Sequence, residues 1–408
     1  MIRSEYLNIA KLTADERVLR LFDVVAQHGG VLRFVGGAVR DALRGIKSYD
    51  LNLATDLSPE ELVEACNEEG FDTMPMGIKQ NSVGVRLDGN VVEISSLHKF
   101  VSNLEGGIDV EYTDNWEEDA SRRDLTINAV YADEKGNVFD YYNGIDDLER
   151  GFVRFIGSAA QKIQEDPVRI LRYFRFYAMY GLEEPNRKAV EACRENAELL
   201  KKVPMEKISD ELLKILHTYH APRAFRLMQA NGVLGYIMPD AEYIENLEFF
   251  NQFAQGQQFD DAEILRLFVL YRPDAVWAEN LAVRLKFTKS QKALLMNLAK
   301  MQCNKEDFLS AVGRAGLVYR YGRDVCKAKW LAEVAFNKRW PDNVWEVYAS
   351  IAETPKPEFP VSGKDIMQFG MAESRQIGAV MRELEKRWVE SGFNMSRDQL
   401  LEQFKQVI

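Results

Sequence analysis

The sequence predicts a mixed α/β head followed by an all-α remainder, and three of its features carry that expectation. Between residues 31 and 156, short β-rich runs alternate with glycine turns. After Gly157 the strand signals stop and apolar residues recur at intervals of three and four, as in Ile170, Leu171, Phe174 and Tyr177, or Leu212, Leu213, Ile215 and Leu216. A proline-rich break from Glu353 to Pro360 then sets apart a last helical segment, in which Met381, Leu384, Glu385 and Trp388 share one face.

Taken in order, Val31 to Val35 reads as an apolar strand running into Gly36 and Gly37, where the backbone can approach a phosphate closely and a helix opens. A second strand spans Tyr49 to Thr55. Ser58 caps a helix over Pro59 to Glu69, with proline at its first position and Glu61 three residues past the cap. Further strands are expected at Ser82 to Leu87, Val91 to Ser95, Val110 to Thr113, Ala129 to Asp133, Val138 to Tyr141 and Val153 to Ile156. No internal repeat or low-complexity tract interrupts this order.

Bulk properties narrow the function. The 408 residues leave room for two to four domains, and 46% hydrophobic composition supplies a core for each. A formal charge of -11 argues against generic coating of nucleic acid, which needs dense Lys and Arg, so any RNA contact must be local. The four cysteines (66, 193, 303 and 326) and four histidines (28, 98, 217 and 220) lack metal-ligand spacing; reduced thiols, a cytoplasmic protein and no structural zinc are expected. Residues 1 to 15 carry no apolar signal region and no run of 18 apolar residues occurs, so no membrane association is expected.

Three clusters bear chemistry. Asp50 and Asn52, two apart on a strand, aim their oxygens to one side about 6.5 to 7 Å apart, suited to hydrated magnesium and the phosphates of a nucleoside triphosphate. Glu93 is a third metal-facing candidate, against the plainer reading of a solvent-facing strand glutamate. Beside the glycine pair, Arg40 can reach phosphate oxygens while Asp41 orients the loop; the plainer reading is a turn with a capped helix. In the second cluster, Asp119 pairs with Arg122 and Arg123 at helical spacing, which by itself describes a salt-bridged surface. Two adjacent arginines also allow one to grip a triphosphate bidentately while Asp124 fixes the other, with Asn128 toward a ribose hydroxyl or phosphate.

The third cluster begins a helix at Glu165-Asp166-Pro167, with Asp166 and Arg169 three apart on one face. A plain helical ion pair is one reading. The other is base recognition: a carboxylate accepts from an exocyclic amine and a guanidinium donates to the ring nitrogen and carbonyl, imitating the partner of cytosine or adenine. Arg172 and Arg175 continue the row.

Together these segments resemble the bacterial-type class II tRNA nucleotidyltransferase and poly(A) polymerase family over nearly the whole chain. The glycine-glycine, arginine-aspartate motif falls on Gly36, Gly37, Arg40 and Asp41, and the arginine-arginine-aspartate motif on Arg122, Arg123, Asp124 and Asn128. The base-template motif falls on Glu165, Asp166 and Arg169, and the connecting motif on Asp140, Gly144, Asp147, Leu148 and Gly151. Gly363 to Ile366, Leu384, Glu385 and Trp388 match the tail.

The resemblance implies a nucleotidyltransferase-type head at 1–156, a helical neck at 157–215 that selects the nucleotide, a body at 216–352 and a tail at 353–408 that contacts tRNA. It implies addition of cytidine and adenosine from CTP and ATP to the 3′ end of tRNA, with two magnesium ions at Asp50 and Asn52. Asn52 departs from the family's aspartate at that position, Gln80 and Asn81 replace its usual histidine and glycine, and residues 95–107 lack its leucine-arginine run and aspartate-glycine-arginine loop. These departures leave three alternatives: a cytidine-only enzyme, a catalytically impaired tRNA-binding homologue, and a poly(A) polymerase, the last set against an end at Ile408 without a basic extension. The sequence leaves the oligomeric state undetermined.

Overall fold

The computed structural model describes residues 7–8, 10, 12, 15–46, 51–75, 81–87, 89–102, 108–238, 241, 243–257, 259, 261–338, 342–368 and 375–405. It divides into two compact units, residues 1–211 with 226–239 and residues 212–225 with 240–408.

The first unit contains every strand found among the described residues: β1 (Leu32–Val35), β2 (Asn52–Thr55), β3 (Asp72–Pro75), β4 (Ser82–Leu87), β5 (Asn90–Ser96), β6 (His98–Ser102), β7 (Ile108–Tyr112), β8 (Val130–Ala132) and β9 (Val138–Asp140). Seven make one mixed sheet in the order β3-β4-β5-β2-β1-β8-β9, and β6 with β7 forms a separate ribbon. β2 and β5 run parallel, while β1 is antiparallel to both β2 and β8. Side chains alternate across this sheet. Phe34, Leu53 and Ile94 pack with Val18, Leu21 and Phe22 of α1 (Glu16–Gln27), whereas Val35 and Ala54 face a second cluster around Trp116, Ala120 and Tyr131.

α2 (Gly37–Leu43) leaves the glycine turn, and α3 (Pro59–Glu68) has the expected capping box: the Ser58 hydroxyl accepts from Glu61 N at 3.3 Å and Glu61 Oε2 accepts from Ser58 N at 2.8 Å. α4 (Trp116–Arg122) lies over the second face. From α5 (Gly144–Arg150) onward the described chain is helical, through α6 (Ala159–Glu165), α7 (Arg169–Tyr180) and α8 (Arg187–Glu195).

Every element described in the second unit is a helix. Phe250, Leu267, Phe268, Leu295, Trp330 and Leu331 are fully or nearly fully buried along four of its helices, and Ile366, Leu384, Trp388 and Leu400 form a smaller cluster. Leu384 and Trp388 lie on the helix Arg375–Glu390, with the face the sequence predicts.

Two expectations are corrected and two strands are added. Val153 to Ile156 is no strand: Phe155 makes one bridge to Leu125, because the partner segment immediately coils into a turn over Thr126–Asn128. β3 and β6 were not anticipated, since Asp72, Pro75, His98 and Lys99 dilute their apolar pattern. The helix expected from Asp166 starts instead at Arg169. Asp166 is extended, with φ -150° and ψ 102°, as the proline after it disfavours helical backbone. Cys66, Cys193, Cys303 and Cys326 are free thiols, and no described helix is long and apolar enough to cross a membrane.

Candidate active site

The glycine turn requires its glycine. Gly36 has φ 67°, and a β-carbon there would lie 3.7 Å from the Asn128 carbonyl oxygen and 3.8 Å from Arg123 Nη1, so the turn, Asn128 and Arg123 adjoin. Arg40 is buried and its guanidinium faces inward. Its Nε donates to Asp41 Oδ1 at 3.0 Å and to the Tyr180 hydroxyl at 2.9 Å, and Nη1 donates to Asn128 Oδ1.

On the same sheet, Asn52 and Glu93 are registered neighbours on the parallel strands β2 and β5. Alternation places both on the face opposite Leu53 and Ile94, which is the face carrying α4. Adjacent strands lie about 4.8 Å apart, so an amide oxygen and a carboxylate stand side by side, the hard oxygen donors that magnesium takes. Asp50 lies outside the described residues. Among the described residues no group of three His, Cys, Asp or Glu side chains is placed to hold a metal ion.

α4 ends in the paired arginines. Asp119, buried beneath them, accepts from Arg122 Nη2 and from Arg123 Nη2 at 3.1 Å, and also from the Tyr131 hydroxyl at 2.7 Å. Burial opposes its ionisation, yet the guanidinia of Arg123 and Arg122 outweigh that and hold its carboxyl below the ordinary value. Asp124 was expected to fix one of these arginines; it does not. Past the end of α4 the chain turns its carboxylate away: Oδ2 accepts from Arg172 Nε of α7 at 2.7 Å, and Oδ1 from Asn128 Nδ2 at 3.1 Å and Leu125 N at 2.8 Å. Burial is again opposed, here by Arg172 and Asn128, and the carboxyl is held down at about 2.

Asp166 and Arg169 form no ion pair with one another among the described contacts. The reason is the broken helix. Asp166 Oδ1 caps Val168 N at 3.2 Å, which leaves its other oxygen without a described partner. Arg169 bonds backward to Glu165 and to the Lys162 carbonyl at 2.9 Å, while Nη2 reaches the Arg122 carbonyl at 3.4 Å. The arginine-arginine segment and the start of α7 therefore adjoin, with one carboxylate oxygen available and a guanidinium held in place. Sequence reasoning missed Tyr131 and Tyr180 as members of this cluster. Asp119 had a signal in its spacing to the arginines, but Tyr180 lies 139 residues from Asp41 and had none.

Comparison with known proteins shows what the chain is similar to. Residues 32–154 match the family model described as "Poly A polymerase head domain", and residues 184–244 match "Probable RNA and SrmB- binding site of polymerase A". The chain is 33% identical over 408 residues to "CCA tRNA nucleotidyltransferase 1, mitochondrial" of Mus musculus, covering 96% of this chain and 90% of that one. Its fold resembles that of the Bacillus stearothermophilus CCA-adding enzyme in complex with CTP, with TM-score 0.73 and 22% identity over 96% of this chain and 98% of that one. It also resembles the Thermotoga maritima CCA-adding enzyme complexed with tRNA, with TM-score 0.66 and 18% identity over 99% and 100%.

Proposed function

The chain belongs to the tRNA nucleotidyltransferase family, and from that membership we propose how its own residues add cytidine and adenosine to the 3′ end of tRNA. The enzyme takes CTP and ATP as substrates and tRNA as its partner, and extends the RNA without a nucleic-acid template. The observation that carries the proposed mechanism is the junction of Gly36, Arg123, Asn128 and the first turn of α7.

In this reading the glycine turn and Arg122 and Arg123 hold the triphosphate, with Asp119 and Tyr131 keeping the two guanidinia oriented. Arg40 acts from behind the turn, through Asn128, rather than on the phosphates directly. Asp124 and Asn128 line the ribose side. The open oxygen of Asp166 accepts from the exocyclic amine of cytosine or adenine while Arg169 donates to the ring nitrogen and, in cytosine, the carbonyl. Uracil and guanine present a carbonyl where Asp166 needs a donor, and are rejected. Arg172, tied to Asp124, keeps α7 seated. Asp50, Asn52 and Glu93 are the residues that would hold two magnesium ions, which supply charge neutralisation at the phosphates and a more acidic 3′ hydroxyl. With the substrates so aligned, the terminal hydroxyl displaces pyrophosphate in line.

A head at 1–156, neck at 157–215, body at 216–352 and tail at 353–408 belong to the same proposal, the last two gripping the acceptor arm. So does a cytoplasmic site of action. The animal relative carries "mitochondrial" in its name, and cell fractionation distinguishes the two compartments.

The test is incubation of the purified protein with tRNA lacking its 3′ CCA, magnesium, and CTP with or without ATP. Extension by two cytidines and then one adenosine is expected; two cytidines alone mark a cytidine-only enzyme. No extension, even after Asn52→Asp, sinks the enzymatic reading.

A further inference from the structure

We propose that the Tyr180 phenol is a positioning residue for nucleotide selection, locking the base-reading helix to the segment behind the glycine turn; this rests on the nucleotidyl-transfer reading above. Arg169, Arg172, Phe176 and Tyr180 follow one another at spacings of three and four, so they line a single stripe of α7. Every position of that stripe touches the head. Arg169 reaches the Arg122 carbonyl, Arg172 the carboxylate of Asp124, and the Phe176 ring lies 5.0 Å from the Arg40 guanidinium. Tyr180 ends the row. Its hydroxyl donates to Asp41 Oδ1 at 2.8 Å and accepts from Arg40 Nε at 2.9 Å.

These bonds close a circuit that leaves α7 at Arg172, runs through Asp124, Asn128 and Arg40, and re-enters the same helix at Tyr180. The contact at the base-reading end is the loosest of the row, 3.4 Å against 2.7 Å at Arg172. The pitch of α7, and with it the place of Asp166 and Arg169 relative to the triphosphate, is therefore set from Arg172 and from Tyr180, about 16 Å along the helix from Arg169. Burial pushes the Tyr180 phenol up to about 12, so at neutral pH it remains the donor that Asp41 needs.

The experiment is single-turnover incorporation of CTP and of UTP on tRNA lacking its CCA end, for the full chain, Tyr180→Phe, Asp166→Ala and the double variant, with tRNA affinity and melting temperature measured alongside. Tyr180→Phe is expected to lower the CTP-over-UTP ratio roughly tenfold, the scale of one hydrogen bond to a charged group, with tRNA affinity unchanged. In the Asp166→Ala background it should change the ratio no further, because the reader it positions is gone. A CTP-over-UTP ratio within about twofold of wild type, or the same fold loss in both backgrounds, overturns the proposal, whatever the melting temperature does. Should Tyr180→Phe fail to fold, Asp41→Asn weakens the same hydrogen bond from its acceptor side by removing the carboxylate charge, and faces the same two criteria. Absence of CTP incorporation by the unaltered chain and by Asn52→Asp is a separate result, which removes the underlying reading.

Discussion

Replacing Asp124 by asparagine keeps the shape of the side chain but removes the charge that Arg172 is bonded to. Asp124 is 6% exposed, and its carboxyl is held at about 2 against an ordinary 3.8. At 1.36 kcal/mol per pKa unit, that displacement is worth about 2 kcal/mol of stability at neutral pH. Breaking a fully buried ion pair costs roughly 3 to 5 kcal/mol, and the Arg172 side chain, 36% exposed, brings the expectation down to a similar figure. The sign follows from the direction of the shift. A depressed carboxyl contributes its full stability above the unfolded value near 4 and loses it as pH falls through about 2. Urea unfolding of the full chain, wild type against Asp124→Asn, should therefore show a difference of about 2 kcal/mol at neutral pH that shrinks to about half near pH 3. A difference below about 0.5 kcal/mol, or one independent of pH, would refute the placement of Asp124 as the anchor of α7.

The catalytic expectations are sharper still. Asn52→Asp adds a charge beside Glu93 and should raise incorporation by roughly 10² to 10³, read from a magnesium titration of both proteins; equal rates at every magnesium concentration would remove Asn52 from the metal site. Asp166→Ala should abolish the preference for CTP over UTP while leaving tRNA affinity nearly unchanged, and preserved selectivity would take the base-reading role away. Arg123→Ala should weaken triphosphate binding far more than tRNA binding in equilibrium measurements of each; the opposite ranking would assign that arginine to the RNA.

Features fixed within a few residues were legible in the sequence: the Ser58 capping box, the glycine turn, the arginine pair with Asp119, and a switch from strands to helices, although that switch comes at Gly144 rather than after Gly157. What escaped depended on partners far away in the chain. Asp124 chooses Arg172, 48 residues on, over the adjacent Arg123, and nothing in the local spacing distinguishes those partners. Asp166 and Arg169 were read as a pair on one helix, but Asp166 is held extended by the proline that follows it, lies outside the helix that starts at Arg169, and accepts from Val168 N instead. β3 and β6 were hidden for a similar reason, since their stability comes from pairing with β4 and β7 rather than from their own composition.

The most direct measurement is the position of cytosine in a complex of this protein with CTP. The amino nitrogen should sit about 3 Å from the Asp166 carboxylate, with Arg169 on the adjacent ring nitrogen and the phosphates against Gly36 and Arg123. A base lying more than about 5 Å from Asp166, or phosphates bound away from that turn, would contradict it.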